Sequence, residues 1–154
     1  MEESGADAPS VELIGEHRYQ LDAKGRIALP RRFHEALRGG GYVTLGQDEC
    51  LWLFPDGPWR EQGARIARYP LSDARARRYS RMFFGKAERI EPDGQGRVVI
   101  PQRLRSELHM GREVVVVGVS DHLEIWDLAV WSRYEDDTVG SYRSGELELG
   151  GPVA

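Results

Sequence analysis

Apolar positions fall into short runs separated by turn-forming residues, which is typical of a chain built from short strands and short helices. Two runs, at residues 27–29 and 98–100, are rich in strand formers, and each is closed by a proline that suits the first turn of a helix. Apolar residues four positions apart then predict a brief amphipathic helix, as with Phe33 and Leu37 after the first run. The pattern predicts a unit of strand, tight turn, strand and short helix, and the unit occurs twice.

The two copies share a turn sequence as well as an apolar run. The matching residues are an aspartate, a glycine and an arginine: Asp22, Gly25 and Arg26 in the first copy and, 71 positions later, Asp93, Gly96 and Arg97. Aspartate can accept backbone N–H bonds two residues on, and glycine adopts positive φ without steric cost, so both segments predict tight turns. Beyond residue 50 the offset becomes 72, which we attribute to one inserted loop residue. The match covers about 48 positions and indicates an internal duplication.

The remaining pattern completes the predicted elements. Each half should hold a first hairpin, a short helix and a second hairpin, and two helices should connect the halves. The predicted strands are 17–21, 26–29, 42–45, 51–54, 88–91, 97–100, 114–119 and 123–126, and the predicted helices are 30–38, 59–69, one capped by Ser72, 102–109 and 128–134. We therefore expect a mainly β protein with short α-helices.

These elements divide the chain into five segments. Residues 1–12 are polar and acidic and predict a disordered N-terminal extension, and residues 135–154 predict an acidic flexible tail. Between them, residues 13–62 form the first repeat, 63–84 a helical connector and 85–134 the second repeat.

Charge is distributed unevenly along the chain. The net charge is −4, yet residues 18–38 carry a balance of +4 and residues 60–89 a balance of +6, against −7 over residues 113–148. A cationic surface can therefore exist on an acidic protein. No apolar run approaches the length of a membrane span, which predicts a cytoplasmic protein. The single cysteine, Cys50, excludes an internal disulfide and is expected to be a packed, unreactive thiol.

Two copies of Asp-x-x-Gly-Arg, each followed by an apolar strand and a proline, resemble the MraZ family of bacterial transcriptional regulators. Supporting stretches lie at residues 13–17, 51–55, 81–85, 113–119 and 123–126, and the resemblance covers roughly residues 13–134. It implies two tandem AbrB/SpoVT-type swapped-hairpin halves that form one pseudo-two-fold, double-psi-like barrel. It also implies that the loop and arginine of the motif lie on a DNA-binding face.

Each candidate residue has a structural interpretation beside the functional one. Arg26 and Arg97 could contact DNA, or could be held in ion pairs by Asp22 and Asp93, and the two roles can coexist. Lys24 occupies the first turn where the second has Gln95, so the first half should bind DNA more strongly. The aligned pair Arg18 and Arg89 could extend the basic surface or cover the side of the barrel. Asp22, Gly25, Asp93 and Gly96 would orient the loops.

Other basic residues are less specific. Arg31, Arg32, Arg103 and Arg105 flank short helices and are more typical of a solvated helix face than of a binding site. A cluster in the connector, Arg75, Arg77, Arg78 and Arg81, could bind phosphates or acids of a neighbouring subunit, and the resemblance favours the neighbour because relatives form rings. The four histidines are scattered, and no spacing suggests a metal site, cofactor or catalytic group. We expect no enzyme activity and no cofactor.

Together these observations predict a sequence-specific DNA-binding regulator. The resemblance implies that its target is the promoter of the division and cell-wall gene cluster, where a ring-shaped homo-oligomer would bind repeated short boxes at the nucleoid. An oligomeric protein-binding scaffold or an antitoxin-like module without DNA binding is the alternative, suggested by the acidic total charge and the abundant aromatic residues.

Overall fold

The two halves are built from the same elements in the same order. The computed structural model describes residues 12–151, so most of the predicted N-terminal extension lies outside the described residues. The first half contains β1 (Leu13–Gln20), β2 (Arg26–Ala28), α1 (Arg31–His34), β3 (Gly41–Leu45) and β4 (Leu51–Pro55). Two connecting helices follow, α2 (Asp56–Ala67) and α3 (Ala74–Gly85). The second half contains β5 (Glu88–Ile90), β6 (Arg97–Val99), α4 (Gln102–Glu107), β7 (Glu113–Ser120), β8 (Leu123–Asp127) and α5 (Leu128–Ser144).

Strands are exchanged between the halves. β1 of the first half pairs with β7 of the second, and β5 of the second half pairs with β3 of the first. The hairpins β3–β4 and β7–β8 meet through β4 and β8, which gives an antiparallel sheet in the order β1-β7-β8-β4-β3-β5. β2 and β6 form a separate two-stranded antiparallel ribbon. The predicted fold class, with two tandem halves and mainly antiparallel strands, is confirmed, and closure into one barrel stays a prediction.

One hydrophobic core serves both halves. Strand side chains alternate between faces, and inward-facing residues of both halves meet in a single buried cluster that includes Leu13, Ile27, Val43, Val98 and Val116. Burial of each such side chain contributes about 1.5 to 3 kcal/mol. Because the exchanged strands bring residues of both halves into this cluster, neither half encloses a core by itself.

Aromatic stacking holds the connecting helices on the sheet. The ring of Trp59 in α2 stacks on Tyr42 of β3 at 4.8 Å between centroids, and on Phe83 of α3 at 4.7 Å. Phe83 is buried, and its carbonyl oxygen accepts a hydrogen bond from the hydroxyl of buried Thr44. These contacts anchor both helices although α2 contains Gly63, a poor helix former.

Several predicted boundaries are wrong. α2 begins at Asp56, three residues before the predicted start, because Pro58 lies in the first turn, where a missing N–H leaves no bond unmade. α3 is capped by Asp73, whose side chain accepts from the Ala76 N–H at 3.0 Å, and not by Ser72. α5 continues to Ser144, so residues 135–144 are helical and do not belong to a loose tail. The regular part of α1 is four residues long and not nine.

The relation between the halves is also more complex than one insertion. The β3–β4 hairpin pairs Gly41 with Pro55, and the β7–β8 hairpin pairs Val114 with Asp127 at the same place. The offset is therefore 73 along the first strand of each hairpin and 72 along the second. The second half has two extra residues before its hairpin and one fewer inside it, which corrects the single inserted residue expected from the sequence.

Candidate nucleic-acid interface

The first turn joins β1 to β2 and is organised by the carboxylate of Asp22. Its Oδ1 accepts hydrogen bonds from the backbone N–H groups of Lys24 and Arg26, both at 2.9 Å. Its Oδ2 accepts from Nε of Arg26 at 2.6 Å. Gly25 has a φ of +76°, and its N–H donates to the Asp22 carbonyl oxygen at 2.9 Å. The turn therefore requires an aspartate at its start, a residue free to adopt left-handed φ, and an arginine directly after it.

The second turn, between β5 and β6, repeats this arrangement. Oδ1 of Asp93 accepts from the N–H groups of Gln95 and Arg97 at 2.9 Å, and Oδ2 accepts from Nε of Arg97 at 2.8 Å. Gly96 also has a φ of +76°. The ion-pair interpretation of the Asp-Arg motif is thus correct for both turns. It does not exclude DNA contact, because Nε is the guanidinium nitrogen that each aspartate binds and the arginine's terminal nitrogens form no hydrogen bond within residues 12–151.

The same hydrogen bonds lower the pKa of the two turn carboxylates. The backbone N–H of Arg26 is the largest influence that holds the pKa of Asp22 below its usual range, and the backbone N–H of Arg97 does the same for the pKa of Asp93. Both carboxylates are consequently ionised near neutral pH, where each orients one guanidinium group.

Pairing of β2 with β6 places the two arginines on one face. Ile27 lies directly opposite Val98 at the centre of the ribbon, and both side chains are fully buried. Because side chains alternate along a strand, Arg26 and Arg97 point to the opposite, outward face together with the exposed Val99. Their side chains remain 25% and 31% exposed. The two turns extend from opposite ends of this ribbon, and both guanidinium groups lie on its outward face.

The structure places Lys24 and Arg18 in different surroundings. Lys24 lies at the exposed tip of the first turn, as expected. Arg18 is an exposed residue of β1 and pairs with Val115. It lies two residues before the end of β1, after which the first turn begins. Neither side chain forms an ion pair with another of the described residues.

Arg89 aligns with Arg18 but is bound within the fold. Its Nη1 donates to Oδ1 of Asp56 at 2.6 Å, its Nη2 donates to the carbonyl oxygen of Gly39 at 2.6 Å, and its guanidinium lies 5.1 Å from the centre of the Tyr42 ring. The hydrogen bond to Asp56 is the largest influence that raises the pKa of Arg89. At the position equivalent to Asp56 the second half has Leu128, so Arg18 lacks such a partner.

Two side chains that the sequence interpretation did not assign to the site cross from one half to the turn of the other. Arg105 of α4 donates from Nε to the Ile100 carbonyl oxygen at 2.9 Å, and its guanidinium covers Gly25, where an added Cβ would lie 2.7 Å from Nη2. His34 of α1 covers Gly96 in the same way, and its Nε2 lies 2.8 Å from the carbonyl oxygen of the residue after β2. Arg105 is half-buried, which corrects its assignment to a solvated helix face. The offset of 71 aligns the two residues, but only the strand exchange brings each to the opposite turn.

Other candidate chemistry is less concentrated. Arg103 is paired with Glu88 at 3.0 Å, and Nη1 of Arg77 donates to the Leu71 carbonyl oxygen at 2.8 Å. Arg75 and Arg78 line a groove between α3 and the β3–β4 hairpin.

Across the described part of the chain, no three histidine, cysteine or acidic side chains are grouped as a metal site would require. No helix among these residues combines the length and the apolar character needed to cross a membrane.

Comparison with known proteins identifies one family. A family profile described as "MraZ protein, putative antitoxin-like" matches residues 13–82 and again residues 83–142. The protein named Transcriptional regulator MraZ from Saccharopolyspora erythraea is 38% identical over 137 residues, which cover 89% of this chain and 96% of the relative. The proteins of the same name from Alkaliphilus metalliredigens and Salinispora arenicola are 39% and 41% identical over 130 and 129 residues, covering 84% and 81% of this chain and 91% of each relative.

Proposed function

The chain belongs to the MraZ family of transcriptional regulators, and on this premise we propose that it regulates transcription by binding double-stranded DNA. The contact surface would be the outward face of the β2–β6 ribbon with its two turns. The family is one of regulators and not of enzymes.

The observation that carries this proposal is the placement of Arg26 and Arg97 on one outward face. Each guanidinium is oriented through Nε by an aspartate of its own turn. The remaining planar N–H donors suit a phosphate or a base edge, which arginine can bind in a bidentate manner. A fixed side chain also loses less conformational entropy on binding than a mobile one. Lys24 adds a flexible cation at the tip of the first turn.

Assembly of several chains would supply the affinity that one chain lacks. Two arginines and one lysine form few contacts, whereas linked copies that engage repeated boxes bind with a high effective concentration. The connector supports such assembly because it exposes apolar side chains next to Arg75 and Arg78: Tyr69, Leu71, Met82 and Phe84 are 60%, 89%, 52% and 40% exposed. We accordingly propose a homo-oligomer, with a ring as the expected form, whose target is the promoter of the division and cell-wall gene cluster at the nucleoid.

A binding titration on the protein's own upstream region tests the proposal. We expect the wild-type protein to protect repeated short boxes in a footprint, with an affinity that falls steeply as salt is raised, because phosphate contacts release counterions. The double substitution Arg26→Ala and Arg97→Ala should abolish binding while circular dichroism and the oligomer's mass are retained. Arg143→Ala, in the last turn of α5, is the matched control and should bind normally.

Two results would contradict the proposal. One is unchanged DNA affinity in a folded Arg26→Ala, Arg97→Ala double variant. The other is the absence of salt-dependent binding in the wild-type oligomer, which would favour the scaffold or antitoxin-like alternative.

A further inference from the structure

The first turn borders a cleft that the second half helps to form. The cleft has a volume of about 340 Å³ and lies between the start of the first turn, at Leu21, Asp22 and Ala23, and the segment from α4 to β7 that carries Arg105 and Arg112. Its cationic groups therefore come from the half of the chain that does not contain the turn.

Both arginines are fixed by bonds that leave their charged ends available. Nε of Arg105 donates to the Ile100 carbonyl oxygen at 2.9 Å, and Nε of Arg112 donates to the Leu21 carbonyl oxygen at 3.2 Å. Within residues 12–151, their terminal guanidinium nitrogens have no hydrogen-bonding partner. The arrangement resembles that of Arg26, where Nε is bound inside the protein and the terminal guanidinium nitrogens stay available to a ligand.

The one acidic side chain that lines the cleft does not neutralise these arginines. Asp22 directs both carboxylate oxygens to Lys24 and Arg26 through bonds of 2.6 to 2.9 Å. An incoming anion would consequently meet Arg105 and Arg112 without displacing an existing ion pair. Arginine binds phosphate oxygens well because its donors match their geometry.

The second turn lacks the counterparts of these cationic side chains. His34 takes the place of Arg105, Gln95 takes the place of Lys24, and the segment corresponding to Arg112 is the uncharged stretch 39–41. The charged side chains of the first set, Asp22, Lys24, Arg26, Arg105 and Arg112, sum to +3, whereas those of the second, Asp93 and Arg97, sum to zero when histidine is counted as uncharged. The backbone of the ribbon is therefore pseudo-symmetric, whereas the charge around its two turns differs.

From this geometry we infer that Arg105 and Arg112 bind a backbone phosphate of duplex DNA beside the first turn, which makes that turn the stronger of the two contacts. The inference rests on the proposed DNA-binding function and extends it to residues outside the Asp-x-x-Gly-Arg motif. Each chain would then contact DNA with one strong and one weak turn.

The salt dependence of binding tests the inference. Each lost phosphate contact makes the negative slope of log affinity against log salt shallower by about 0.9 and weakens binding about fivefold at 0.15 M salt. Arg105→His copies the residue of the second turn, so its bond to the Ile100 carbonyl can be kept, and it should show this loss, as should Arg112→Gln. Arg103→Gln, on the same helix but paired with Glu88, should leave slope and affinity unchanged.

Each outcome has a distinct meaning once unfolding midpoints establish that the variants are folded. Unchanged slopes in Arg105→His and Arg112→Gln, together with loss of binding in the Arg26→Ala, Arg97→Ala variant, would overturn this inference and leave the proposed function intact. Absence of binding in the wild type would remove both. Amide signals of Ala23 and Gly25 should shift on adding duplex DNA and not with inorganic phosphate at the same phosphate concentration. Equal shifts with both would assign the cleft to free phosphate and overturn the assignment to DNA.

Discussion

Alanine substitutions at the turn glycines can separate two contributions to the free energy of unfolding, the cost of backbone strain and the cost of crowding by a neighbouring side chain. Gly25 and Gly96 share a φ of +76°, a conformation that costs a non-glycine residue about 1 to 2 kcal/mol. Gly94, in the second turn, has ordinary φ and no atom within 4 Å of an added Cβ. Gly94→Ala is therefore the matched control and should change the free energy of unfolding by less than about 0.5 kcal/mol.

The two strained positions should differ from each other because their neighbours differ. At Gly25 the added methyl group would meet Nη2 of Arg105 at 2.7 Å, at the far end of a long flexible chain. Nε of Arg105 lies farther from the methyl group, at 3.1 Å, so a small shift of the guanidinium can relieve the contact while Nε keeps its bond to the Ile100 carbonyl oxygen. At Gly96 it would overlap the imidazole of His34, a short rigid ring bonded to the Leu29 carbonyl oxygen at 2.8 Å. Loss of that bond adds about 0.5 to 1.5 kcal/mol. We expect a destabilisation of about 1 to 2 kcal/mol for Gly25→Ala and about 1.5 to 3.5 kcal/mol for Gly96→Ala.

Urea or thermal unfolding at fixed protein concentration measures these differences. In a chain of this size, 1 kcal/mol corresponds to a shift of about 2 to 4 °C in the midpoint. The double substitution of His34→Ala with Gly96→Ala should cost less than the sum of the single changes, because the truncated side chain no longer meets the methyl group. Equal stability of the Gly94, Gly25 and Gly96 variants would refute the argument. Additive costs at His34 and Gly96 would refute its second half.

Two further predictions concern buried groups. Cys50 is fully buried, and burial raises the pKa of its thiol, so iodoacetamide should modify it only after unfolding; rapid modification of the native protein would contradict this. Burial alone would lower the pKa of His122, but Glu124, with Oε2 at 3.8 Å from Nε2, and Asp121, with Oδ1 at 2.9 Å from Nδ1, raise it overall. The imidazolium's stabilisation is then complete below a pH of about 6.5 and is lost as pH rises through the raised pKa, so His122→Gln should destabilise more at about pH 6 than at about pH 8.5 in urea unfolding. Equal losses at both values would contradict the pairing.

Local features of the sequence were predictable because local chemistry determines them. The turns follow from Asp22 and Gly25 and their repeats, and the hairpins follow from apolar runs on either side of polar residues. The length of α5 was missed because the composition of residues 135–144 is acidic and weakly apolar. The aromatic contacts of α5 lie in its N-terminal half, where the ring of Tyr134 packs on that of Trp126 at 4.9 Å between centroids. Gly145 ends the helix in a left-handed conformation.

Long-range features could not be predicted from spacing. The partner of Arg89 is Asp56, 33 positions away, and the contact forms because β5 pairs with β3 of the other half. The positions of Arg105 and His34 over the opposite turns have the same origin, since they require the antiparallel β2–β6 ribbon. A sequence alignment of the two halves identifies equivalent residues, but it does not show which half each residue contacts.

Strand exchange also explains how two copies of one motif can come to bind the proposed DNA partner with different strengths. Each turn is built by one half and covered by a side chain of the other, so its charge can change without any change in its own sequence. Arginine and histidine both place a nitrogen donor against the same backbone carbonyl, at 2.9 Å for Arg105 and 2.8 Å for His34. Replacing one of these residues by the other therefore keeps the hydrogen bond between the short helix and the residue that follows the preceding ribbon strand. It alters only whether a permanent cation lies over the turn glycine. In the proposed DNA-binding function, such a position allows the contact made by one turn to strengthen while the pseudo-two-fold backbone stays the same.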